Sequence, residues 1–260
     1  SVDELFNRSN VARNALSYID DSAISGKLGF IYDITDSLSI FAQYAEGFRS
    51  PDYESANISF TNFAFFYSVA PNPNLDSEES DGYEIGLRGD NVFGSSRVNW
   101  SLVYYENDYE DFIDTQITGR TPMGIAIYQY VNLNSVTIDG FEFEAQALLN
   151  DNYSLYLGYS NSDGEQNGEK LVSIDPDQTI LGLSWNSDNG RFNIRGFANI
   201  TEGSIDGLPP ICGRSGCNNL VETPGRATFD LFLNANISDN IDLNFAIRNI
   251  TNEKYYDWAS

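Results

Sequence analysis

Along most of this chain hydrophobic and polar residues take turns one by one, the two-residue period of a β-strand whose faces meet different surroundings. Leu38, Ile40, Ala42 and Tyr44 alternate with Ser37, Ser39 and Gln43; Tyr83, Ile85 and Leu87 alternate with Glu84, Gly86 and Arg88. Val98, Trp100, Leu102 and Tyr104 stand against Arg97, Asn99 and Ser101, and Phe141, Phe143, Ala145 and Ala147 against Glu142, Glu144 and Gln146. The rhythm returns at 153–157, 181–185, 192–194, 229–233 and 243–247, so about ten strands are predicted, the first near residues 24–33. Polar turns rich in Gly, Asn, Asp and Ser fall at 35–37, 90–95, 150–152, 187–190 and 238–240. Longer irregular segments fall between them, at 49–78, about 113–130, about 162–175 and 202–224. Short and long connections in alternation put every long one at the same end of the strands. That is the layout of an all-β, antiparallel up-and-down transmembrane β-barrel with short periplasmic turns and long extracellular loops.

A β-sandwich also alternates, but it does not explain four long loops at one end. The polar face carries Glu84, Arg88, Glu142, Glu144, Arg195, Asp230 and Arg248, a mixture suited to a wide hydrated lumen. Aromatic residues gather near the ends of the apolar face. There Tyr44, Phe48, Tyr104, Tyr153 and Trp185 are candidates for girdles at the lipid boundary or for ordinary packing.

Composition then removes several functions. Lys+Arg 14 against Asp+Glu 38 give a net charge of -24, which repels phosphate backbones and excludes nucleic acid as a partner. Tyr 16, Phe 17 and Trp 3 are too many aromatics for a disordered acidic chain. No apolar run reaches the roughly 18 residues of a membrane-spanning helix. The chain has no His, so a Ser–His or Cys–His nucleophile is impossible and no enzyme is expected. A carboxylate-pair hydrolase survives by residue type alone, yet strand alternation already accounts for Glu142 and Glu144.

Residues 41–51 read FAQYAEGFRSP, residues 72–75 read NPNL, and 77–89 read SEESDGYEIGLRG. Together with VNLNSVTIDGFEFEAQ at 131–146 and FAIRNITNEKYYDW at 245–258, these segments resemble the C-terminal half of a TonB-dependent outer-membrane receptor. More narrowly they resemble the haem/haemoglobin receptors, which carry an FRAP box and an NPNL box around one extracellular loop. Here the boxes are Phe48-Arg49-Ser50-Pro51 and Asn72-Pro73-Asn74-Leu75, and the resemblance runs from about residue 22 to 258. It implies that Phe48, Arg49, Pro51, Asn72, Pro73, Asn74 and Leu75 serve ligand binding. Arg49 would pair with a propionate or carboxylate of the ligand, or brace the loop against a lumen acid.

One departure bears on the cargo. Receptors of the haem type place an axial His between the boxes, and this chain has none. A phenolate would then have to ligate haem iron, with Tyr53 and Tyr67 as the candidates. Phe60, Phe63, Phe65, Phe66 and Tyr67 crowd the same segment, either to grip a ligand or to pack on one another. Cys212 and Cys217, with two glycines between them, are expected to close a small structural disulfide loop. The acids at 106–114 and 163–169 lack calcium-loop spacing, so no metal site is assigned.

About ten strands do not close a barrel of about 22. Residues 1–260 are therefore expected to form the C-terminal portion of a receptor barrel in a Gram-negative outer membrane, with the plug, the first half of the wall and the final strand outside this sequence. The implied partners are outer-membrane lipid, a haem, haemoprotein or siderophore ligand, and the TonB–ExbB–ExbD complex acting through an N-terminal region. No resident cofactor is expected; haem or a ferric complex is the transported ligand. A ferric-siderophore receptor, a soluble acidic β-sandwich binding module and a passive pore or adhesin are the other readings.

Overall fold

The computed structural model describes residues 19–64, 66–171, 174–203, 223–255 and, by backbone, 212–213 and 216–217. Ten long strands carry the fold: β1 (Lys27–Thr35), β2 (Leu38–Arg49), β5 (Glu78–Phe93), β6 (Ser96–Arg120), β7 (Ala126–Leu148), β8 (Tyr153–Gln166), β10 (Gln178–Asn186), β11 (Phe192–Thr201), β14 (Arg226–Ser238) and β15 (Ile241–Ile247). They neighbour one another in that order within a single sheet. Short elements decorate the connections: α1 (Tyr53–Asn57), β3 (Phe60–Asn62), β4 (Tyr67–Ala70), β9 (Glu169–Lys170), and the pair β12 (Cys212–Gly213) and β13 (Gly216–Cys217). Each predicted apolar run lies in one of the ten strands, and the predicted tight turns join β1 to β2, β5 to β6, β7 to β8, β10 to β11 and β14 to β15.

The chain divides into two compact units. The first takes Ser1–Lys27, Ala45–Gly82 and Asn107–Thr137; the second takes Leu28–Tyr44, Tyr83–Glu106 and Ile138–Ser260.

In the second unit the strand register puts like with like. Leu155, Leu183, Gly196, Leu231 and Ile247 form one row across β8, β10, β11, β14 and β15, and Tyr153, Trp185, Ile194, Leu233 and Phe245 the next. The opposite face holds Ser184, Arg195 and Phe232 in one row, and Asn193, Asn234 and Asn244 in another. The apolar rows are open: Leu183 is 52% exposed, Leu243 and Phe245 each 51%. Among the described residues no second β layer covers them, so the sandwich reading fails. An outward apolar face alternating with a polar one is the pattern of a barrel wall in lipid. β10 with 9 residues and β11 with 10 match the roughly 9–11 that a tilted strand needs to cross a bilayer.

Four of the five aromatics weighed as girdle or packing residues lie opposite or against another ring. Tyr153 faces Trp185 across β8 and β10 beside the 187–191 turn. Tyr44 meets Tyr83 with centroids 5.3 Å apart, and Tyr104 meets Phe141 at 5.0 Å.

Two expectations need correction. The segment at about 113–130 is largely strand: β6 has 25 residues and β7 has 23, leaving only 121–125 between them. Asp111, inside β6, takes φ 53, a left-handed kink that shifts the alternation and disguises the strand. Tyr109 and Phe112 accordingly share a face, rings 5.2 Å apart, although they are three positions apart, an odd step that alternation would put on opposite faces. The segment at about 162–175 likewise begins as a hairpin, with β9 paired to the end of β8.

Candidate functional site

The site is assembled within the first unit, around the connection from β2 to β5. β2 ends on the first box, with Phe48 half-buried, Arg49 as its last residue and Pro51 buried just beyond. Proline at 51 fixes φ and cannot extend a ladder, so the strand stops there. One turn of helix, α1, follows, with Ser55 and Ala56 buried. The chain then rises as the β3–β4 hairpin, whose second strand runs parallel to β7, Tyr67 opposite Ala126 and Ala70 opposite Gln129. This parallel pair is an exception to the up-and-down order, and the sequence did not predict it.

Hydrogen bonds tie both boxes to the strands. Arg49 Nη2 donates to Glu78 Oε2 at 2.6 Å, and the same carboxylate oxygen accepts the backbone N–H of Ile113 at 3.0 Å. Glu78 is only 7% exposed, whereas the Arg49 side chain is 56% exposed. Of the two roles open to Arg49, bracing against an acid is the one formed. The acid belongs to the start of β5.

Asn72 opens the second box with three bonds. Its Nδ2 donates to the Tyr130 carbonyl at 2.9 Å, its N–H donates to the Ser55 carbonyl at 3.2 Å, and its Oδ1 accepts the Asn74 N–H at 3.1 Å. The last of these makes an Asx turn, which an Asn-Pro-Asn sequence favours. Gln129 Nε2 donates to the Pro71 carbonyl at 2.8 Å. Asn132 works hardest of all. Its Oδ1 accepts the Asp76 N–H at 2.9 Å, while its Nδ2 donates to the carbonyls of Asp76 at 3.0 Å and Asp111 at 2.6 Å. Leu75 is half-buried, and Pro73 and Asn74 are exposed.

The aromatic residues divide into two groups. Tyr67 is half-buried and packs edge-on against Phe60 at 5.5 Å and Tyr128 at 6.3 Å. Tyr53, Phe63 and Phe66 point outward, 55%, 67% and 69% exposed. Phe66 also holds φ 57, a conformation that bulky side chains seldom take, and Phe65 lies outside the described residues. The two phenols proposed as iron ligands thus have different settings, Tyr53 open on α1 and Tyr67 packed against rings.

Elsewhere, Cys212 and Cys217 stand opposite each other in the β12–β13 ladder; their side chains, and so the expected disulfide, lie outside the described residues. On the lumen-type face Arg88 stacks over Phe41 at 4.2 Å, Glu144 accepts the Tyr156 hydroxyl at 3.2 Å, and Asp230 accepts the Asn249 N–H at 2.8 Å. No group of three or more metal-ligating side chains is found among the described residues.

Sequence reasoning missed Glu78, Gln129, Tyr128 and Asn132. Glu78 sits in an acid run that no spacing distinguishes, and Asn132 looks like any polar position on a strand.

The family model for the TonB dependent receptor-like β-barrel matches residues 3–250. Hemoglobin-haptoglobin utilization protein B of Neisseria meningitidis is 24% identical over 89% of this chain and 32% of its own length. The ferripyoverdine receptor of Pseudomonas aeruginosa is 28% identical over 61% of this chain and 18% of its own. Among solved structures, the copper transporter OprC superposes with a TM-score of 0.70 at 17% identity, covering 90% of this chain and 34% of that one. The FrpB iron transporter of Neisseria meningitidis gives 0.63 at 18%, covering 92% and 37%. The chain thus spans about a third of the length of the first-named relative, which is 32% covered. The structural likenesses establish the fold alone.

Proposed function

Because this chain belongs to the TonB-dependent receptor-like β-barrel family, we propose that it forms the ligand-gathering part of a receptor that takes up haem or another iron complex. It lies in the outer membrane of a Gram-negative bacterium, in a family of receptors rather than enzymes. The observation that carries the proposal is the 50–77 connection, an aromatic hairpin between two boxes, the first bonded to Glu78 of β5 and the second to Tyr130 of β7. A base stiffened in this way loses less entropy on capture, so more of the contact energy appears as affinity. The exposed rings of Phe63 and Phe66 suit a planar or amphipathic ligand. Capture would be followed by import driven by the TonB–ExbB–ExbD complex, acting through a region N-terminal to this chain. The cargo is a ligand in transit, and no resident cofactor is needed.

Haem draws support from the relative named for hemoglobin-haptoglobin utilization and from the two boxes. A ferric siderophore draws support from the ferripyoverdine relative and from the complete absence of His. Haemin titration of the full-length receptor separates them. Haem capture predicts a Soret shift that Tyr53→Phe abolishes, with Tyr67→Phe weaker in effect because that phenol is packed. No shift in the parent receptor assigns the cargo to the siderophore class.

A further inference from the structure

We propose that Glu78 and Asn132, which lie outside both boxes, are the positioning residues of the capture loop, and that Arg49 acts through Glu78 rather than on the ligand. This rests on the reading of 50–77 as the capture loop. The grounds are geometric. Glu78 is a buried carboxylate with two donors on one oxygen, the guanidinium from the loop's first end and the Ile113 N–H from β6. It therefore joins the end of β2, the start of β5 and the middle of β6 at a single atom. A buried acid left without its cation is costly, so the pair is not exchanged lightly for a ligand anion.

Asn132 does the same for the loop's other end. Its amide holds both backbone groups of Asp76, directly after NPNL, and also the carbonyl of Asp111. Asp111 is the left-handed residue of β6, with φ 53, and its carbonyl is the acceptor that Asn132 uses there. Arg49–Glu78 and Asn132–Asp111 pin the two ends of one loop to the same stretch of β6, residues 111–113.

The test is a mutant cycle on the full-length receptor in outer-membrane vesicles, using Arg49→Gln, Glu78→Gln and the double variant. Two quantities are read: chymotrypsin cleavage at the exposed rings of the loop, which needs no ligand, and haemin affinity. If the pair is a brace, each single variant speeds cleavage by roughly tenfold, the scale of one lost charge-assisted bond. The double variant then matches the singles in cleavage and in haemin Kd. Asn132→Ser, which leaves the ion pair intact, speeds cleavage as well. Unchanged cleavage in Glu78→Gln overturns the proposal. So does an Arg49→Gln loss of haemin affinity that exceeds and adds to the Glu78→Gln loss, since Arg49 would then touch the ligand. A parent receptor that fails to bind haemin removes haem as cargo, while the cleavage readout still decides the brace.

Discussion

Arg49 has a chemical invitation to bind an anionic ligand and a nearer anion already in hand. Its guanidinium is half open to solvent, but its partner is a carboxylate almost wholly out of water. The choice between those roles was not legible in the sequence. The box itself was, because Pro after a strand and Asn-Pro-Asn before one have fixed backbone consequences. A partner across the fold has none, and nothing local distinguishes Glu78 from Glu79.

Strands were the most legible elements, because alternation is a direct imprint of two unlike faces. It failed where backbone geometry broke the period. At Asp111 a single left-handed residue moves Phe112 to the face of Tyr109, and a 25-residue strand reads as strand followed by loop. Asp111→Gly is expected to fold as the parent does, since glycine takes that φ freely. Asp111→Val should lose about 1–2 kcal/mol in urea unfolding, with β6 and its bond to Asn132 disturbed. The face assignment has its own test. Leu183 sits in the middle of an open apolar row, and Asn244 lies exposed on the opposite face. Leu183→Arg should cost about 2–4 kcal/mol in folding into lipid vesicles, the range for a cation at mid-membrane. Asn244→Arg should cost less than about 1 kcal/mol, because a cation on a hydrated face keeps its water. Equal costs at the two positions would contradict the lipid-facing assignment.

At the scale of the whole molecule, what remains to be tested is direction, which of the two sets of connections faces outward. In the second unit β1 and β15 each have one ladder neighbour among the described residues. A strand edge in hydrocarbon leaves amides with no partner at several kcal/mol each, so in the membrane both edges require further strands beside them. A wall completed in that way has two sets of connections on opposite sides of the bilayer, the predicted tight turns on one and, on the other, the long 50–77 link together with the short 121–125 connection. Phe63 lies in the long link between β2 and β5, and Asp188 in the tight turn between β10 and β11. Both are exposed, so both positions are open to a thiol reagent when replaced by cysteine. Phe63→Cys is expected to react with a membrane-impermeant maleimide on intact cells. Asp188→Cys should react only after the outer membrane is opened. Labelling in the reverse order would put the aromatic hairpin in the periplasm, where it has no cargo to capture, and would remove the basis for reading 50–77 as a receptor loop.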